Sequence, residues 1–461
     1  MGQGSEHPGH IGSGRKSAGG DIPGSERLHV PPEPDRGPAM SVCGAVTLAL
    51  MVWLSVGCGG PVPVSRAGQT IETAIIVVPG YYGTKLVRAS DGDGVWLHAW
   101  EALFGKRSLK LPLPGLGFDG AIDLRPDGIL KQVSVVPLLY SVGAYGDLLD
   151  TLDTRGVGVG YVVPLPYDWR LDLMKAVREL DALIERLRAG EQTRIAIVAH
   201  SMGGLITAYY LRYGAQDPGY AVENWEGAAK IDVVVMAGVP FQGSMTQFRN
   251  AQYGVQLGLN RVLLEPQAVS SFPATDADML ITPAGEPLKG LIRKGSLWRE
   301  YGWGLLNDSG SLSAEIVARR VDYTSTWLRQ AGRFSELLLA PRAAPVPKLA
   351  PLLYLFGKGH PTLATGVWLR RNSSTSDARL LFNEEHFKKY LPSVHHDILF
   401  QDGDGSVTVQ SSSLPAAYGA AFQVTTKEYG VSHEKLASAP EALNEIVEFL
   451  ARQDTDAGSV R

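Results

Sequence analysis

The amino-acid sequence predicts an α/β fold, a mostly parallel sheet covered on both faces by helices, and two observations carry that prediction. Short, nearly continuous apolar runs recur at 74–78 "AIIVV", 159–164 "VGYVVP", 194–199 "RIAIVA", 231–237 "IDVVVMA", 352–356 "LLYLF" and 422–429 "FQVTTKEY". Most are Val/Ile-rich and lack polar alternation, which fits strands buried on both faces. Between them lie segments of helical period. The clearest is 171–189, where Leu173, Ala176, Val177, Leu180, Leu183, Ile184 and Leu187 share one face and Gly190 stands at the expected C-cap. Residues 202–213 and 440–452 read as two more helices, with Pro440 suited to a first turn.

Composition narrows the function. A chain of 461 residues that is 44% hydrophobic can bury a large core. The net charge of -4, with no extended basic run after the N-terminus, gives no reason to expect nucleic acid as a partner. Residues 1–39 are rich in Gly, Pro and Ser without periodicity, and read as a disordered tail or as a start assigned too far upstream of Met40. Residues 40–58 read as a signal or lipoprotein-like segment. The 17 uncharged residues at 41–57 are short for a membrane span and suit a secretory apolar region. Cys58, after Val56-Gly57, resembles the lipidation cysteine of bacterial lipoproteins, so export to a bacterial envelope, with or without an anchor, is expected. Cys43 lies inside the apolar segment, which leaves a chain starting at Cys58 without an internal disulfide.

The remainder, 59–461, is expected to be one α/β domain interrupted twice, at 84–140 and at 241–348. Insertions of this size in a doubly wound fold sit at the carboxyl ends of strands, where ligands bind. They are expected to be a lid-type insertion and a cap; the alternative reading is additional scaffold.

The chemistry centres on "IAIVAHSMGG", 195–204. A buried strand runs directly into Ser201, and helical periodicity restarts at Met202, the strand-turn-helix setting of a nucleophile elbow. The bland alternative is Ser201 as an ordinary N-cap. A serine hydroxyl needs a base to take its proton and a carboxylate to hold the base's tautomer. His433 is the one histidine near the chain end, between the last strand and the last helix. Upstream, "LFQDGDGSV" offers two carboxylates. Asp404 heads a D-G-x-V arrangement with Val407 returning to the core, whereas Asp402 caps or braces the turn. Calcium binding by this loop lacks a bidentate Glu at EF-hand spacing. An oxyanion needs two N–H donors. Met202 supplies the first, and the turn after "IIVVPGYYG", with Gly80 and Gly83 around Tyr81, is the candidate for the second. His200, beside the nucleophile, points away from it and reads as packing. No metal and no cofactor are expected.

Together "VVPGYYGTKL", "PYDWR" at 166–170, "AHSMGG", "GVPFQGS" at 238–244, "SFP" at 271–273, "DGDGSV" and "VSHEKL" resemble the lecithin:cholesterol acyltransferase family, which includes lysosomal phospholipase/transacylase and phospholipid:diacylglycerol acyltransferases. The resemblance runs over 74–450 and implies an α/β-hydrolase fold. It implies Ser201, Asp404 and His433 as the triad, Tyr81 and Met202 as oxyanion donors, and Asp168, Trp169 and Arg170 as a buried structural motif. It places lid and membrane-contacting residues within 84–118. Tyr82, Trp96, Trp100 and Phe104 are then substrate or lid candidates, although such aromatics also suit a core. The animal enzymes staple the lid with a disulfide, and this chain has no cysteine there.

The expectation is a serine O-acyltransferase or lipase acting on a lipid ester, phospholipid or acylglycerol, at a membrane surface. The alternatives are a plain carboxylesterase without an acceptor alcohol, and an inactive lipid-binding envelope lipoprotein.

Overall fold

The structure, a computed structural model, describes residues 73–459 apart from 97–104, 119–120, 132–144, 155–159, 190–192, 258, 274–279, 283–285, 289, 347, 371–377 and 383–395. The segments 1–39 and 40–58 with Cys58, the expected C-cap Gly190, and the aromatics Trp100 and Phe104 lie outside the described residues.

Six strands form one sheet: β1 (Thr73–Val78), β2 (Gly160–Pro164), β3 (Arg194–His200), β4 (Val233–Ala237), β5 (Pro351–Gly357) and β6 (Gln423–Tyr429). They are the six runs that the sequence marks. Their spatial order is β6-β5-β4-β3-β1-β2, and every neighbouring pair is parallel. Alternate residues serve two cores. Ile76, Val78, Ile197 and Met236 join the cluster on one face, and Ile75, Val77, Val198 and Val235 the cluster on the other. Both positions of the pleat are apolar because both faces are covered, which is why these runs show no alternation. The edge strand β6 differs: Thr425, Thr426, Lys427 and Glu428 are exposed, and charge on an edge discourages pairing with another chain.

Helices α1 (Gly146–Thr154) and α5 (Pro440–Ser459) pack on the second face, and α2 (Leu173–Arg188) and α3 (Met202–Tyr213) on the first. The Asp172 carboxylate caps α2 by accepting from the Met174 amide at 3.0 Å. The buried stripe of α2 is the predicted one, except that Met174 is fully buried and Leu173 only partly. From β1 the chain steps out to β2 and returns past β1 to β3. The order therefore reverses between β1 and β3, and the carboxyl ends of these two strands open a crevice.

The two interruptions are built differently. The strands Thr84–Arg88, Gly94–Trp96 and Leu124–Ile129 form a three-stranded antiparallel sheet whose Leu86, Val95 and Trp96 merge into the main core. The later segment carries its own cluster of Phe248, Trp298, Trp303, Leu306 and Val317. It ends in the long helix α4 (Ala314–Leu339), capped by the Ser313 hydroxyl. No helix among the described residues is long and apolar enough to cross a membrane.

Candidate active site

Ser201 sits at the turn between β3 and α3 with φ 56° and ψ -125°. That left-handed backbone costs a non-glycine residue about 1–3 kcal/mol and persists only when its surroundings over-determine it. They do. The Ser201 amide donates to the Ala237 carbonyl at 2.8 Å. A Cβ on Gly203 would lie 2.3 Å from the Val78 carbonyl oxygen, so only glycine lets α3 approach β1 this closely. An ordinary N-cap has an extended backbone and bonds its own helix, whereas the Ser201 hydroxyl makes no cap bond. It faces His433, with Oγ 2.8 Å from Nε2.

His433 opens a short 3₁₀ turn after β6, with its amide donating to the Asp404 carbonyl at 2.9 Å. Its Nδ1 lies 2.7 Å from Asp404 Oδ2. The other carboxylate oxygen, Oδ1, accepts from the amides of Ser406 at 2.9 Å and Val407 at 2.7 Å. The D-G-x-V turn thus pins the Asp404 carboxylate through its own backbone. Asp402 is exposed and braces the turn instead, its Oδ1 accepting from the Gly359 amide at 2.6 Å. Ser201, His433 and Asp404, three sequence-selected side chains, therefore meet in one hydrogen-bonded row, and Asp402 stands outside it.

The electrostatics fix the proton positions. Burial works against the His433 imidazolium, but the charge and hydrogen bond of Asp404, with Glu434 adding, outweigh it and hold its pKa above the ordinary histidine value. Burial also pushes Asp404 up, yet His433 and the amides of Val407 and Ser406 prevail, and its carboxyl stays below the usual range. Asp404 is then ionised and accepts from Nδ1–H, which leaves the Nε2 lone pair facing the Ser201 hydroxyl. Only neutral His433 can take that proton. The competent form therefore grows as pH rises, through a midpoint above about 6.5.

The turn after β1 approaches the elbow from the other side. A Cβ on Gly80 would fall 2.7 Å from the Ser201 Cβ, so glycine is what brings this backbone against the serine. The Gly83 amide closes the turn onto the Gly80 carbonyl at 3.0 Å, with Tyr82 at φ 67°. Tyr81 and Met202 both line the same cavity as Ser201. As the first residue of α3, Met202 carries an amide outside the intrahelical ladder.

The buried motif clamps this turn. Tyr167 donates its hydroxyl to the Pro79 carbonyl at 2.7 Å, and the Trp169 indole donates to the Thr84 carbonyl at 3.1 Å. Arg170 donates to both oxygens of Asp168, from Nε at 3.0 Å and Nη2 at 2.7 Å, and to the Leu109 carbonyl at 3.2 Å. Both side chains are almost wholly buried, so each ion is satisfied by the other and by backbone.

A cavity of about 440 Å³ opens above Ser201. Leu173, Met174, Phe241, Phe334 and Leu338 give it apolar walls, while Asp172, Asp217, Arg329 and Arg333 add charge. Helix α4 forms one side through Thr326, Trp327 and Phe334. Among the described residues of 84–140, none lines it. Tyr82 does line it, packed between Trp96 and Trp169.

Of the two readings that the sequence leaves open for Trp96, lid or core, the structure gives the core. Trp96 is 1% exposed, its indole donates to the Tyr82 carbonyl at 2.9 Å, and its ring packs on Tyr82 and Trp169. A short β-strand placed it on the core side of its sheet.

Sequence reasoning missed Tyr145 as the partner of the buried His200. Tyr145 lies 55 residues before His200, and their side chains meet at 2.8 Å between the hydroxyl and Nδ1. No spacing in the sequence announces that pair. Burial, with nearby His433 adding, drives the His200 pKa down to about 3, so His200 is neutral and is not a second base.

A family model for lecithin:cholesterol acyltransferase matches residues 119–290, which include the elbow and stop short of Asp404 and His433. The phosphatidylcholine-sterol acyltransferase of Gallus gallus is 24% identical over 341 residues, 70% of this chain and 69% of that protein. Among solved structures, the chain in the Tle4-Tli4 complex overlays with a TM-score of 0.47 at 13% identity, covering 84% of this chain and 98% of that one. The mature Bacillus licheniformis lipase BlEst2 overlays with a TM-score of 0.33 at 12% identity, covering 85% and 95%. The parallel sheet order and the strained Ser201 elbow define an α/β-hydrolase fold, and in sequence the chain is similar to the lecithin:cholesterol acyltransferase family over residues 119–290.

Proposed function

We propose that the chain is a serine O-acyltransferase or lipase acting on lipid esters. The observation that carries this reading is the row Asp404–His433–Ser201, with contacts of 2.7 and 2.8 Å, on a strained elbow at the floor of an apolar cavity. His433 Nε2 takes the Ser201 proton as Oγ attacks the ester carbonyl. The oxyanion is received by the amides of Met202 and Tyr81, each such donor contributing about 100- to 1000-fold in rate. His433 then returns the proton to the leaving alcohol, and an acyl-enzyme remains on Ser201. An acceptor alcohol or water, deprotonated by His433, releases the acyl group and restores the serine.

The kinship to phosphatidylcholine-sterol acyltransferase supports a phospholipid or acylglycerol donor. The apolar walls of the cavity support transfer, because excluding water favours an alcohol acceptor over hydrolysis. The uncharged stretch 41–57 and Cys58 support export to an envelope. On this reading the segment 241–348, through α4, is the cap over the substrate.

The test is product analysis from phospholipid vesicles, with and without diacylglycerol or a sterol. The expected result is an acylated acceptor when one is present and free fatty acid when it is absent. Free fatty acid alone under both conditions would establish a plain carboxylesterase, and no product under either would establish a lipid-binding protein.

A further inference from the structure

The triad and the oxyanion turn leave one buried hydrogen-bond chain unexplained. The Gly80 amide donates to the Tyr145 hydroxyl at 2.7 Å, Tyr145 is 2.8 Å from His200 Nδ1, and His200 Nε2 is 3.0 Å from the His433 carbonyl. The direction of every proton in it is forced. The Gly80 amide can only donate and the His433 carbonyl can only accept, so His200 carries its proton on Nε2. Nδ1 must then accept, and the single proton of the Tyr145 hydroxyl goes to it. The chain is neutral from end to end.

What it joins is specific to the reaction. One end fixes the Pro79–Gly80 peptide, next to the Gly80–Tyr81 peptide whose N–H is the proposed second oxyanion donor. Tyr145 is wedged inside this turn: a Cβ on Gly83 would meet its ring at 2.7 Å. The other end holds the His433 main chain, whose amide is tied to the Asp404 carbonyl, so the base is clamped between two partners. The middle of the chain is the residue beside the nucleophile. The His200 and His433 rings lie 4.8 Å apart between centroids. When His433 becomes an imidazolium, a second charge there would oppose it, and a hydroxyl that donates to Nδ1 leaves no room for that proton.

We propose that Tyr145 and His200 are positioning residues for the reaction at Ser201, holding the Gly80–Tyr81 turn and the His433 backbone in register through one neutral hydrogen-bond chain. This rests on the reading of Ser201 as the nucleophile. Both reach the cavity lining, but on this proposal they act through other groups and touch no reacting atom, so their loss acts on turnover rather than on substrate binding.

The experiment measures kcat and KM of the full chain on a soluble short-chain ester, p-nitrophenyl butyrate, with thermal melting as a check on folding. Tyr145→Phe and His200→Leu are each expected to lower kcat by about 10- to 100-fold, the scale of a displacement near 1 Å, with KM little changed. His200→Gln keeps one acceptor and one donor and is expected to recover most of the loss. The double variant Tyr145→Phe/His200→Leu is expected to be no worse than the poorer single, since both break the same chain. Folded Tyr145→Phe with wild-type kcat would overturn the proposal, as would a loss confined to KM, which would make Tyr145 a substrate contact only. Should Tyr145→Phe not fold, equal kcat in His200→Gln and His200→Leu would overturn it equally well. Ser201→Ala is measured alongside. Activity retained there would defeat the nucleophile reading itself, whereas dead Ser201→Ala with full-rate Tyr145→Phe would defeat only this inference.

Discussion

Ser201→Ala is expected to lower kcat for a soluble acyl ester by about 10⁶-fold, the scale seen when a triad nucleophile is removed. The size follows from the way the row acts as a unit. Without Oγ, His433 has nothing to deprotonate that reaches the carbonyl, and what remains is the oxyanion amides holding an ester against bulk water. The loss should be chemical and not structural, because alanine keeps the Cβ and the elbow is held by the Ser201 amide on the Ala237 carbonyl and by the Gly203 contact with Val78. Melting should therefore change little. Ser201→Gly is expected to be as inactive and to melt no lower than the native chain, since glycine accepts φ 56° without strain. An inactive Ser201→Ala that had also lost its fold would not discriminate, and the Ser201→Gly partner removes that ambiguity.

Asp404→Asn is expected to lower kcat by about 10⁴-fold while Asp402→Asn leaves it within a few-fold. The asymmetry is written in the hydrogen bonds. Asp404 Oδ1 accepts from the Ser406 and Val407 amides and Oδ2 accepts from His433. An asparagine must turn its oxygen toward the two amides, which leaves its NH₂ facing Nδ1. Nδ1 then has to accept, the proton moves to Nε2, and the base presents a donor to the serine in place of a lone pair. The same change removes the charge that holds His433 above the ordinary histidine value, so burial, opposed only by Glu434, drives that pKa down. Because activity requires neutral His433, the acid limb of kcat/KM, with its midpoint above about 6.5 in the native chain, is expected to move to lower pH in the residual activity of Asp404→Asn. Loss of activity in Asp402→Asn with Asp404→Asn near native would show that the other carboxylate holds the base.

How much of this was legible in the sequence differs from element to element, for physical reasons. The central sheet was, because strands buried on both faces cannot hide their composition: "AIIVV" and "IDVVVMA" admit little else. The elbow was legible as a junction, since a strand period ended on Ser201 and a helix period began on Met202. His433 stood out by its place between the last strand and the last helix, and Asp404, upstream of both, by the turn grammar of D-G-x-V. The strain at Ser201 and the closeness of Gly80 are properties of backbones meeting across the sheet, and only the fold displays them. Trp96 stayed open between lid and core because a tryptophan in a Leu- and Pro-rich stretch looks alike whether its strand faces a core or a lipid; the three-stranded sheet of 84–129 decides the matter. The Tyr145–His200 chain was invisible because its partners are separated by 65, 55 and 233 residues and each contributes a common hydrogen-bonding group. Helix α4 was legible only as part of the expected cap, since its buried residues serve the cavity, the main core and the cluster of its own segment together.

The central claim is that Ser201 carries the acyl group, and the direct measurement is the mass of the intact chain after exposure to a fluorophosphonate bearing a long alkyl tail, followed by mapping of the modified peptide. The account predicts one adduct per chain on the peptide containing Ser201, slowed as pH falls below the raised His433 pKa and absent in Ser201→Ala. An unmodified chain that still cleaves esters, or an adduct on any other residue, would contradict it.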